Sequence, residues 1–154
     1  MMNWLKRLLA RRQPAPSLEA QLAEWRIVSM TNDVENKRAV LRLRVVRPAM
    51  AGPSFDTAIQ ITWKYSGGMP SGDTNTSMTT FERAIDDLTG DNHFAELVQV
   101  ATGGGVKEWL FYCSDKGRFM NEFERLLVAH ERYPVEISSL SDPEWRIWRE
   151  EAVA

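Results

Sequence analysis

The chain has 154 residues, about the size of one ordinary domain, and a chain of this length buries roughly 70% of its unfolded surface, so it needs neither metal nor disulfide to fold. It is 44% hydrophobic and 26% charged, which is ordinary globular composition and argues against global disorder, and no apolar run approaches the roughly 20 residues of a membrane-spanning helix. One cysteine, Cys113, excludes an intrachain disulfide and a multi-thiolate zinc site; two histidines, His93 and His130, leave little for metal chemistry, and a net charge of -2 gives no reason to expect nucleic acid.

The charge is unevenly spread. Residues 1–12 hold Lys6, Arg7, Arg11 and Arg12 and none of the 21 acids, so a basic leader precedes an acidic body. Met1, Trp4, Leu5, Leu8 and Leu9 share one helical face. The continuous apolar core of a secretory signal is missing. Such a helix either docks on its own domain or a neighbour, or makes weak contact with an anionic membrane surface through Trp4, Lys6, Arg7, Arg11 and Arg12. Pro14 and Pro16 end it, so residues 1–16 read as leader and linker and residues 17–154 as one domain.

Leu18, Leu22 and Trp25 recur at helical spacing behind Ser17, a candidate N-cap. A strand over 26–31 and a turn at Asn32-Asp33 follow. Residues 37–47 alternate most clearly: Ala39, Leu41, Leu43 and Val45 point one way and Arg38, Arg42 and Arg44 the other. Pro48, Gly52 and Pro53 mark a loop. A third strand spans 58–65, with Ile59, Ile61, Trp63 and Tyr65 on one face. After the Gly/Pro loop 66–73, Met78, Phe81, Ile85 and Leu88 form the buried stripe of a helix over about 75–89, stopped by Gly90. A fourth strand covers 94–101, and Thr102-Gly-Gly-Gly105 is a hairpin loop. The fifth strand, 106–113, is apolar on both faces, which predicts a central strand covered on both sides. Ser114-Asp115 caps a helix over about 116–130, with Phe119, Phe123, Leu126 and His130 as its stripe. A strand over 133–138 follows. Asp142-Pro-Glu-Trp145 then opens a last helix, with Asp as N-cap and Pro at the first helical position.

From residue 58 the order is β-α-β-β-α-β. The expected fold is therefore α+β: a ferredoxin-like core, an antiparallel sheet with two helices on one face, carrying two extra N-terminal strands and a C-terminal helix. The additions are expected to extend the sheet or cover its other face.

Trp63-Lys-Tyr65, Pro70, Phe81-Glu82, Thr102 with its glycines, Glu108-Trp-Leu-Phe-Tyr112, Asp115, Tyr133-Pro134 and Asp142-Pro-Glu-Trp145 occur in that order. In this the chain resembles the bacterial family of domain of unknown function 695 (DUF695). The signature starts at Trp63 and covers a little over half of the chain, within 58–154, and the N-terminal 57 residues add little to it. The resemblance implies no established reaction. It implies a distant association with regulators of ribonuclease E, non-enzymatic inhibitors that act by binding protein.

Most signature residues have structural roles: caps, helix starts and core aromatics. The polar ones flanked by aromatics, Lys64, Tyr65, Glu82, Glu108 and Tyr112, are the candidate binding residues. Glu108 and Tyr112 share a strand face, so Glu108 is expected to be a buried carboxylate paired with Lys64 or an arginine. Gly67 and Gly72 have phosphate-loop spacing, but Asp73 stands where the lysine belongs, which argues against nucleotide binding. Cys113 is expected in a buried strand and His130 on an apolar helical stripe, so neither reads as catalytic. Arg38, Arg42 and Arg44 form a basic stripe with no aromatic interleaved, which reads as a solvated face.

The expectation is a cytoplasmic, non-catalytic regulatory or protein-binding domain without cofactor or metal. Its partner would be another protein, and an inhibitor or immunity-type protein steered by its acidic body onto a basic site is one version. The alternative is a small-ligand or enzymatic site near Trp63, Tyr65, Glu108 and Tyr112.

Overall fold

The computed structural model describes residues 25–32, 34–35, 37–45, 54–89 and 94–153. The leader and linker, the helical turn from Ser17, Asp33, the segment 46–53, Gly90 and His93 lie outside the described residues. The elements are β1 (Trp25–Asn32), β2 (Lys37–Arg44), β3 (Thr57–Lys64), α1 (Gly72–Ala84), a 3-10 turn (Asp86–Thr89), β4 (Ala95–Gly103), β5 (Val106–Cys113), α2 (Lys116–Leu127), β6 (Val135–Ser141) and α3 (Arg146–Val153).

The strands form one six-stranded sheet in the order β1-β2-β4-β5-β3-β6, every neighbouring pair antiparallel. The fold is thus α+β with three helices among the described residues. β5 lies between β3 and β4, as its two apolar faces demand. The two N-terminal strands lengthen the sheet through β2, whose Leu41 lies opposite Val28 of β1 and Ala101 of β4.

Alternation along the strands splits the core in two. On one face Ile59, Ile61 and Trp63 of β3 and Trp109 and Phe111 of β5 meet Met78 and Phe81 of α1 and Phe119 and Phe123 of α2. Phe81 is the hub of this layer, with ring centroids 5.2 Å from Trp109, 5.3 Å from Tyr133 and 5.9 Å from Trp63. Edge-on packing of this kind adds about 0.5–1.5 kcal/mol per pair beyond area burial. On the reverse face, Ala58, Val98, Leu110 and Tyr112 are roofed by Phe55, Trp145, Ile147 and Trp148. Trp148 also packs on the cluster of Val28, Met30, Leu41 and Leu43.

Several boundaries depart from the sequence reading, among them those of the helices and the start of β6. The helix expected at 75–89 starts at Gly72, because Ser71 accepts from the Thr74 amide at 3.3 Å. It ends at Ala84, where Ile85 (φ -97°, ψ 4°) leaves the helical region; Leu88 reaches the core from the following 3-10 turn instead. α2 stops at Leu127, so His130 is exposed, with its Nδ1 3.1 Å from the Tyr133 hydroxyl. β6 begins at Val135, after Pro134, which has no amide to give the ladder.

The last helix departs most. Asp142 does cap it, but Pro143 and Glu144 form a turn and Trp145 adopts φ 56° before the helix begins at Arg146. The Asp142 carboxylate accepts from the amides of Arg146 (2.9 Å) and Ile147 (3.0 Å) across that turn. A left-handed tryptophan is costly. It is held by the Trp145 indole donating to the Phe55 carbonyl at 2.7 Å and stacking on Tyr112 at 4.1 Å.

Candidate functional site

The five candidate residues do not converge. Tyr65 follows β3 and ties two glycine loops together. Its hydroxyl donates to the Gly68 carbonyl at 2.9 Å and its amide to the Gly105 carbonyl at 2.9 Å, while the Gly105 amide donates to Gly68 at 3.1 Å. Burial pushes its phenol up to about 12, partly offset by a backbone hydrogen bond from Gly103. Lys64 is 72% exposed and lies 3.9 Å from Glu136, so it is not the counter-ion expected for Glu108. Exposed pairs of this kind contribute little.

Glu108 and Tyr112 are buried in β5. Tyr112 stacks on Trp145 and donates to Asp142 at 2.6 Å. Burial alone would raise the Asp142 carboxyl. The Tyr112 hydroxyl, the amides of Ile147 and Arg146 and the Arg146 charge outweigh it and hold the group below its ordinary value. Trp63 belongs to the helix-covered layer and Tyr112 to the reverse one. The four residues of the alternative site therefore line no common cavity.

Glu82 is different. From α1 its Oε1 accepts from the Trp109 indole at 2.8 Å and from the Lys107 ammonium at 2.9 Å, and Lys107 lies 5.2 Å from the Trp109 ring. This node forms one wall of a cleft of about 300 Å³ between α1, its 3-10 extension and strands β2, β4 and β5. Ile85, Leu97, Trp109 and Phe111 give it an apolar floor, and Arg42, Arg83 and Asp86 stand at its rim.

Arg42 joins the cleft to an open stretch of sheet. The register Trp25↔Arg44, Ile27↔Arg42, Ser29↔Val40 and Thr31↔Arg38 puts these side chains on one face. Arg42 and Arg44 lie 5.6 and 4.9 Å from the Trp25 ring, within cation–π range. An aromatic thus does interleave with the arginine stripe. The sequence did not reveal it because Trp25 is on the neighbouring strand, and only the register brings it there. Ile27 on this face is 63% exposed.

Cys113 is buried in the helix-side core, where burial first and the charges of Asp115 and Asp56 push its thiol up to about 11, partly offset by a backbone hydrogen bond at Asp115. Among the described residues no group of three or more His, Cys, Asp or Glu side chains gathers to hold a metal ion, and no helix is long and apolar enough to cross a membrane.

Fold and surface define an α+β domain with one side of its sheet end left open beside a small cleft. The chain matches the Family of unknown function (DUF695) over residues 23–151 and belongs to it. The match begins ahead of β1, so the two N-terminal strands are part of the family domain rather than additions to a signature confined to 58–154. No curated protein matches the chain.

Proposed function

We propose that this protein is a non-catalytic regulatory domain that works by binding another protein through the open face of β1 and β2. The observation that carries this reading is the exposed Ile27 beside the Trp25–Arg42–Arg44 stack. Tryptophan and arginine dominate binding hot spots, because each offers a large, stiff contact surface with a polar edge. Arg38 and Arg42 lie exposed along the same face. The partner that fits presents carboxylates around an apolar contact, and not the basic site that the acidic composition suggests. The buried position of Cys113 and the exposed position of His130 support a role without covalent chemistry. In the same reading the segment from β3 to β6 is a ferredoxin-like core. The order β4-β5-β3-β6, with α1 and α2 packed in one layer, supports it.

Affinity capture from the native host, run with the wild-type chain and with Ile27→Glu and Arg42→Glu, tests the proposal. A stoichiometric partner that is retained by the wild type, eluted by salt and lost from both variants is the expected result. Identical recoveries from all three chains, or no stoichiometric partner at all, would overturn it.

A further inference from the structure

The cleft beside α1 has a charge pattern of its own, which shares only Arg42 with the protein-binding face. Glu82 is neutralised by Lys107 and its Oε1 is filled by Trp109. The Thr79 and Thr89 hydroxyls donate to the carbonyls of Asn75 and Asp86. What remains at the rim is two guanidinium groups and one carboxylate. Among the described residues, Arg83 and Asp86 have no side-chain hydrogen bond or ion pair, and Arg42 only stacks on Trp25. The carboxylate lies just past the C-terminal end of α1, where the helix presents partial negative charge. The rim therefore offers cationic donors for an anion and an anionic group, reinforced by a helix end, for a cation. Below it the floor of Ile85, Leu97, Trp109 and Phe111 is apolar. A volume of about 300 Å³ is at the small end of ligand pockets.

We propose that this cleft binds a free α-amino acid with a large apolar side chain. Its carboxylate pairs with Arg83 and Arg42, its ammonium faces Asp86, and its side chain lies against Leu97, the half-buried member of the floor, above the buried Trp109 and Phe111. A simple carboxylic acid would leave Asp86 unanswered, and a simple amine would leave the guanidinium groups unanswered. The zwitterion satisfies both, and charge-assisted hydrogen bonds are the strong ones.

The test follows the indole N–H resonance of Trp109 by NMR during titration with three probes: L-phenylalanine, 3-phenylpropanoate and 2-phenylethylamine. L-Phenylalanine should shift it saturably, and each single-charge analogue should bind about tenfold more weakly or worse. Arg83→Ala, which leaves Arg42 in place, should reduce the preference for phenylalanine over phenylethylamine while keeping that over phenylpropanoate. Asp86→Asn should do the reverse. Both side chains are exposed, so neither variant threatens the fold. No saturable shift with phenylalanine, equal binding of all three probes, or discrimination unchanged in both variants would overturn the proposal. Arg83 and Asp86 lie off the β1–β2 face, so this outcome is independent of partner capture.

Discussion

Tyr112, in the middle of the sheet, donates its hydroxyl hydrogen to the Asp142 carboxylate at 2.6 Å, and that carboxylate caps the last helix. Two residues thirty positions apart thus couple the central strand to the element that covers it. Tyr112→Phe removes a hydrogen bond to a charged acceptor, and a loss of about 1.5–3 kcal/mol is expected. Asp142→Ala removes the cap and also strands the buried hydroxyl, so it should cost at least as much. Urea unfolding of both single variants and the double variant checks this; losses that simply add would show that the pair is not coupled.

The same carboxylate contributes to the acid limb of stability. Its folded pKa lies below the ordinary 3.8, so its contribution is fully present above that value and is lost as pH falls through the folded pKa. Stability measured between neutral pH and strong acid should fall more steeply in the wild type than in Asp142→Asn. Parallel curves would remove Asp142 from the explanation.

At the alkaline end the sign reverses. Cys113 rises from 9.0 to about 11 and Tyr65 from 10.0 to about 12. Both groups favour the folded state while protonated. Their contributions are complete below the ordinary values and disappear as pH climbs through the folded ones. Iodoacetamide at mildly alkaline pH should leave Cys113 unlabelled in native protein and label it in urea. Rapid native labelling would mean the thiol is not sealed.

Gly105 has φ +80°, and a Cβ there would meet the Gly67 carbonyl oxygen at 3.1 Å and that of Tyr65 at 3.2 Å. Both neighbours are backbone and cannot swing aside. Gly105→Ala should lose about 1–2 kcal/mol or more, and hydrogen exchange at the Tyr65 amide should speed up. Gly68→Ala, whose added methyl meets nothing within 4 Å, is the control and should differ little from wild type.

Glu82→Gln keeps an acceptor for the Trp109 indole but leaves the mostly buried Lys107 without its carboxylate, whereas Glu82→Ala abandons both. Thermal unfolding should rank wild type above Gln and Gln above Ala, with the alanine loss about 2 kcal/mol or more.

Much of this architecture was legible because it is local or periodic. The apolar faces of β5 placed it inside the sheet, and the stripe from Met78 to Phe123 placed two helices on one layer. Asp115 could be read as a cap and is one, accepting from the Arg118 amide at 3.0 Å. What escaped depended on pairings across the chain. The contact of Trp25 with two arginines exists only through strand register, and the Glu82–Trp109–Lys107 node only through helix-on-sheet packing. Tyr65, Glu82, Glu108 and Tyr112 look alike in sequence as polar residues among aromatics. The pleat puts Tyr112, with Glu108 on the same strand face, on the reverse side of the sheet, Tyr65 packs on the helix side and Glu82 comes from α1, so the loop tie, the cleft wall and the helix cap are separate tasks. The left-handed Trp145 carried no local signal, since a tryptophan has no preference for that conformation and is forced into it by its neighbours.

That tryptophan also tells how the reverse side of the molecule comes apart. Its ring is the keystone over Tyr112 and Phe55 at the start of the last helix, and without it the sheet would show Ala58, Val98, Leu110 and Tyr112 to water. A chain cut just after Ser141 would keep all six strands and both packed helices, yet expose a greasy floor wide enough to glue two such molecules together.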